Sequence, residues 1–207
     1  MHPNPIYRSA DTAQHLAFAA ARGFGMLAVN APDGPLLSHI PFVLSPGGVD
    51  FHLVRSNPIA RALAAGPMKA VLAVSGPDGY VSPDWYGLKD QVPTWNYLAV
   101  HLRGTLSLAP QNSLRAHLDA LSETFETRLL PKPVWQTAKV APDALARMLR
   151  QIVPVKLNIT STEATWKLSQ NKPEAARQGV MEGLRTSPTG HELAALVAAM
   201  REVKGTG

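Results

Sequence analysis

The sequence predicts an α+β chain in which about six antiparallel strands make a barrel-like sheet with helices at its ends. Three observations predict it. Short apolar runs alternate with turn signals through the first half. Helical periodicity is confined to the N-terminus, one central stretch and the tail. Finally, 18 prolines and 15 glycines cut the 207 residues into short elements. In order, Asp11 with Gln14 forms a capping pair for an alanine-rich helix to Arg22, which Gly23 stops. Residues 25–29 (GMLAV), 36–44 (LLSHIPFVL) and 49–54 (VDFHLV) are expected as a three-strand meander. Asn57 caps a short helix with Pro58 at its first position, and residues 69–74 return as a buried strand. Residues 95–108 form a long strand, and a helix from Asn112 or Ser113 places Leu114, Leu118, Leu121, Phe125 and Leu129 on a core stripe. The proline-rich stretch 130–143 is irregular, a short helix spans 144–151, and 153–162 is the last strand. The tail holds a helix after Pro173 and another at Thr189, whose T-x-x-E pattern with Glu192 is a capping box.

Composition narrows the classes. The chain is long enough to bury a core without disulfides or metals. Its lack of cysteine excludes a disulfide framework, a thiolate zinc site and a Cys nucleophile. No apolar run spans a bilayer and the N-terminus lacks signal-peptide regions, so a cytoplasmic location is expected. Residues 1–131 balance 9 Lys and Arg against 9 Asp and Glu, while 132–207 carry 11 against 6, so the net +5 belongs to the last third. Those basic residues are scattered and trace no helix-turn-helix, which reads as a solvated face. Nucleophile elbows, H-E-x-x-H, Walker loops and G-x-G-x-x-G are all missing. No catalytic residue is assigned.

The segment 76–104 holds Tyr80, Trp85, Tyr86, Trp95 and Tyr97 among prolines and glycines, so loop and strand ends are expected to present rings at a surface. They either plug a barrel end or hold a planar ligand. Val54, Arg55, Ser56, Asn57 and Pro58 sit where a strand enters a helix; the local string alone favours an ordinary helix cap with a surface arginine over the oxyanion cradle that the same groups could form. His39 and His52, on strands expected to be neighbours, lack a patterned carboxylate, and no metal site is expected.

The strings GPDGYVSPDWY (76–86) and VPTWNYLAVHLRG (92–104), with VRSNP (54–58) and KLSQN (167–171), resemble the PaiB family of FMN-binding negative transcriptional regulators. The resemblance implies a split β-barrel of the pyridoxamine-phosphate-oxidase type, a homodimer, and FMN at the subunit interface. It implies the flavin phosphate near Arg55, Ser56, Asn57 and Arg61, with Val54 and His52 on the strand leading in. Ser38, His39, Ile40 and Pro41 would run beside the isoalloxazine. Thr94, Trp95, Asn96 and Tyr97 would close over the cofactor from the second subunit, and Lys167, Ser169, Gln170 and Asn171 would supply further donors. The expected division is a barrel over 1–172 and a helical extension over 173–207.

Two functions follow as expectations. One is an FMN-binding repressor, with DNA as a partner although no DNA-reading helix is identified. The other is an FMN-dependent oxidoreductase, or a flavin- or haem-handling enzyme, whose planar substrate stacks between Trp85, Tyr86 and Trp95.

Overall fold

In the computed structural model, which describes residues 1–8 and 11–203, the first helix α1 (Thr12–Arg22) follows an aspartate cap. Asp11 Oδ1 accepts the N–H groups of Ala13 at 2.9 Å and Gln14 at 3.2 Å. Gly23, at φ +62°, turns the chain out of the helix. Strands β1 (Phe24–Val29) and β2 (Leu36–Pro41) form an antiparallel hairpin with Met26 opposite His39. Phe42 then leaves the ladder and donates its N–H to Gly23 O at 2.9 Å. The single strand expected over 36–44 is therefore two, β2 and β3 (Val43–Ser45). β3 pairs with β4 (Gly48–Val54), which leads into α2 (Pro58–Ala62). The remaining elements are β5 (Met68–Val81), β6 (Thr94–Leu108), α3 (Leu114–Glu126), α4 (Pro142–Leu149), β7 (Ile152–Lys167), α5 (Glu174–Thr186), β8 (Gly190–His191) and α6 (Leu193–Glu202).

The strands form one eight-stranded sheet, ordered β2-β1-β5-β6-β7-β4-β3, with β8 attached to β5. Eight strands replace the expected six, and the meander is replaced by two hairpins whose open sides pair with β5 and β7. β2 and β4 are thus not hydrogen-bonded neighbours, which corrects the placing of His39 beside His52. β5 runs on to Val81 through residues expected as loop, because Asp78 and Gly79 pair with His191 and Gly190. The capping box at Thr189 does not form: Glu192, at φ +52°, is itself the cap of α6. On α3 Leu114 is buried and Leu118, Leu121 and Phe125 are half-buried, as the stripe expects; Leu129, past the end of α3, is 54% exposed, and His117 joins the buried face.

Two compact units emerge from the chain. The first comprises Met1–His15, Ser75–Val100 and Glu163–Gly207, and the second Leu16–Val74 and His101–Thr162. In the second, Leu27, Phe51, Leu72, Leu102, Leu106 and Leu157 are fully buried, alternating along their strands as one sheet face demands. A Cβ on Gly104 would stand 2.0 Å from Asn158 O, so β6 can approach β7 there only without a side chain. In the first unit, Val180, Leu184, Leu196 and Met200 of α5 and α6 are fully buried. Trp85 lies flat against α5, where a Cβ on Gly183 would fall 2.3 Å from the indole. Arg177 is buried and donates to the carbonyls of Met200 and Val203, closing the C-terminus of α6. Residues 204–207 of the expected extension lie outside the described residues.

Candidate functional site

The expected binding residues fall into two groups, one in each unit. In the second unit, Asn57 shapes the strand-to-helix junction. Its Oδ1 caps α2 by accepting Ile59 N–H at 2.9 Å, and its Nδ2 donates to Ser38 Oγ at 2.8 Å, tying the junction to β2. The local string N-P at the helix start is why: Asn accepts from the second residue while Pro needs no acceptor. Arg55 donates from Nε to Arg150 O at 2.6 Å and from Nη2 to Gln111 Oε1 at 3.2 Å. Neither partner is anionic, so the guanidinium keeps its full charge at the surface. Arg61, in the last turn of α2, is exposed and has no carboxylate partner. Ser56 is exposed between the two arginines in sequence, and Val54 is 53% exposed at the end of β4.

Along β2 the side chains alternate. Ile40 is buried, Ser38 and Pro41 are half-buried, and His39 is exposed and stacked on Phe24 with ring centroids 6.3 Å apart. His52 points elsewhere: its Nδ1 lies 3.3 Å from Nε2 of His117 on α3. Burial, reinforced by His52 and opposed by Asp50, lowers the His117 pKa from 6.5 to about 4, and burial lowers that of His52. Both imidazoles are therefore neutral at pH 7, and Nδ1 of His117 is buried without a partner. His117 lines a cleft of about 510 Å³ together with Asp50 and Lys156. No group of three or more His, Cys, Asp or Glu able to hold a metal ion occurs among the described residues.

In the first unit, Asn96 and Ser169 are buried and joined, Asn96 Nδ2 donating to Ser169 Oγ at 2.9 Å. Ser169 sits at φ +57°, a left-handed position that turns the chain between β7 and α5. Gln170 is likewise structural. Its Oε1 accepts Leu168 N–H at 2.8 Å, and its Nε2 donates to Trp166 O at 2.6 Å and Ile6 O at 3.1 Å. Lys167 donates to Thr94 Oγ1 at 2.5 Å and spans the Tyr7 ring at 5.8 Å. Burial lowers its pKa. Asn171 is exposed and lines, with Lys167, Thr94 and Asn96, a cleft of about 270 Å³ in this unit, and Pro173 rather than Asn171 stands at the cap of α5. Tyr97 is half-buried on β6.

The aromatic mouth is not assembled as expected. Trp85 packs on α5, and Tyr86 is buried with its hydroxyl 3.5 Å from Ser169 Oγ. Trp95, 44% exposed, meets Tyr80 edge-on at 6.2 Å. Three groups were missed by sequence reasoning: Tyr7, Lys172 and His117. Lys172 follows KLSQN directly and was within reach of that motif. Tyr7 and His117 carry no local signal, because each meets its partner only through the fold.

Residues 1–161 match the family model described as “Putative FMN-binding domain”. The chain is 28% identical to the Protease synthase and sporulation protein PAI 2 of Bacillus subtilis, over 93% of this chain and 95% of that one. Two solved structures share the fold. A FAD and heme binding protein from Mycobacterium smegmatis superposes with a TM-score of 0.61 at 19% identity, covering 86% of this chain and 80% of its own. A flavocytochrome from Azotobacter vinelandii gives 0.57 at 17% identity, covering 80% of this chain and 72% of its own. The antiparallel sheet is thus a split barrel of the flavin-binding type, and the chain belongs to the PaiB-type family of FMN-binding proteins.

Proposed function

We propose that this protein is an FMN-binding regulator of the PaiB type that holds the flavin phosphate at the strand-to-helix junction. The observation that carries the placement is the pair Arg55 and Arg61, on either side of exposed Ser56 in sequence and with no carboxylate partner among the described residues. A phosphate dianion supplies what that junction lacks, and charge-assisted hydrogen bonds to it are stronger than the neutral ones Arg55 now makes. α2 has only five residues, so the guanidiniums rather than a helix dipole carry the attraction. Ser38 and Asn57, already joined, would hold β2 beside the ring, and Trp95 of the partner subunit would close against it. The flavin, once bound, supplies electron-transfer chemistry.

The regulatory role rests on the likeness to the B. subtilis protein, whose name ties it to protease synthesis and sporulation. A homodimer belongs to the same reading. Phe24, Leu37 and Val54 are each more than half exposed in the second unit, and apolar surface of this kind is what association covers. The cytoplasm is the proposed location, and among the described residues no helix is long and apolar enough to cross a membrane. Three measurements test the reading. Saturable quenching of FMN fluorescence is expected on titration with the protein, and sedimentation velocity should give twice the 22.2 kDa chain mass. A mobility shift of promoter DNA that persists at physiological salt supports direct regulation. A shift that collapses as salt rises reports basic charge alone.

A second reading has its own observation. The exposed Trp95, edge-on to Tyr80, offers a face for a planar substrate, as an FMN-dependent oxidoreductase requires. Bleaching of the bound flavin by NADH or NADPH would favour it.

A further inference from the structure

We propose that the cleft of the first unit, framed by Tyr7, Tyr86, Lys167 and Lys172, binds a small oxyanion, the carboxylate or phosphate of a second ligand distinct from the flavin.

Both lysines are half-buried and neither has an anionic partner. Lys167 bonds Thr94 Oγ1 and lies over Tyr7; Lys172 bonds Gln91 Oε1 at 2.5 Å and lies 5.0 Å from the centre of the Tyr86 ring. A ring face attracts an ammonium but leaves its charge in place. Each ammonium has three donor protons and commits one to a hydrogen bond here, so both retain donors for a ligand. Asp90 is the one carboxylate on the lining, and it is exposed and paired with neither lysine. Two cations on the lining of one partly desolvated cleft are costly without a counter-charge, a cost that an anion in the cleft removes. Burial lowers the Lys167 pKa, as its half-buried place on that lining requires.

The rest of the wall is also built of donors and is rigidly held. Asn96, fully buried, fixes Ser169 by a 2.9 Å hydrogen bond, and Ser169 in turn meets the Tyr86 hydroxyl at 3.5 Å. At about 270 Å³ the cleft lies just below the roughly 300–1,000 Å³ usual for whole small-molecule sites, which fits an anionic head group rather than a flavin. Lys167 and Lys172 also lie past residues 1–161, the part matched by the FMN-binding family model.

The test is calorimetric titration of the protein, flavin-free and FMN-loaded, with inorganic phosphate and separately with acetate. Saturable binding in both forms is expected, weakened about tenfold or more in Lys167→Met and in Lys172→Met. Lys172→Arg should retain binding, and so should Arg55→Ala. Preference for phosphate assigns a phosphorylated ligand, and preference for acetate a carboxylate. Two outcomes overturn the proposal. One is no saturable binding of either anion by a protein that circular dichroism shows to be folded. The other is phosphate displacing FMN from wild type and from Arg55→Ala but not from Lys167→Met or Lys172→Met, which would make the cleft the cofactor's own phosphate site. Should FMN itself fail to bind, the flavin-free titration still decides the matter, so the two readings fail separately.

Discussion

At the strand-to-helix junction the cations stand in the open, Arg55 resting on a carbonyl and an amide and Arg61 on nothing, while in the cleft of the other unit two lysines lie half-buried across phenol rings. The junction owes its shape to backbone and one cap. Asn57 orders it through two hydrogen bonds, and substitution of the arginines would leave the fold alone. The cleft owes its shape to packing. Its wall is Tyr86, placed by the neighbouring Trp85 against glycines of α5, and its floor is the buried Asn96–Ser169 pair. A site of the first kind changes in affinity when mutated, and one of the second changes in stability as well.

That contrast can be broken at its strongest point by Gly183→Val. The new side chain would collide with the Trp85 indole, and a cost of about 3 kcal/mol or more is expected in urea unfolding, the upper range for overpacking. An unfolding midpoint unchanged from wild type would mean that packing does not build the cleft.

The His52–His117 pair tests the other unit. Above pH 6.5 the His117 imidazole is neutral in folded and unfolded chains alike. As pH falls, the unfolded chain takes up a proton that the folded one refuses until about pH 4, so stability declines across that window and levels off below it. Full expression of the shift is worth about 3 kcal/mol, and His117→Gln should flatten the slope. Denaturation midpoints measured from pH 7.5 to 4 check this.

Asn96→Ala should cost about 2 kcal/mol, because Ser169 Oγ loses its short hydrogen bond inside the protein and keeps only the Tyr86 hydroxyl at 3.5 Å. The comparison is sharpened by Arg185→Ala, which removes an exposed pair with Glu182 and should change stability by less than about 0.5 kcal/mol.

Local signals made part of this legible in advance. The Asp11 and Asn57 caps, the stop at Gly23 and the strands β1 and β4 all follow from residues within a few positions of each other. What escaped depended on distant partners. β5 continues through Pro77 and Gly79 where β8, more than a hundred residues away, pairs with it, and a two-residue strand has no periodicity to read. The burial of His117 on α3 was hidden because a histidine beside a leucine stripe reads as polar surface. The same division holds at the candidate site. Arg55, Ser56 and Asn57 are contiguous and could be grouped by sight, whereas Tyr7 reaches Lys167 only through the fold.

The most direct test of the account compares FMN with riboflavin, which lacks the phosphate, by fluorescence titration of wild type and the Arg55→Ala, Arg61→Ala double variant. The account predicts that wild type prefers FMN by about a hundredfold, from two charge-assisted interactions of about 1.5 kcal/mol each, and that the double variant binds both flavins alike. An FMN preference that survives loss of both arginines would place the phosphate elsewhere and contradict it.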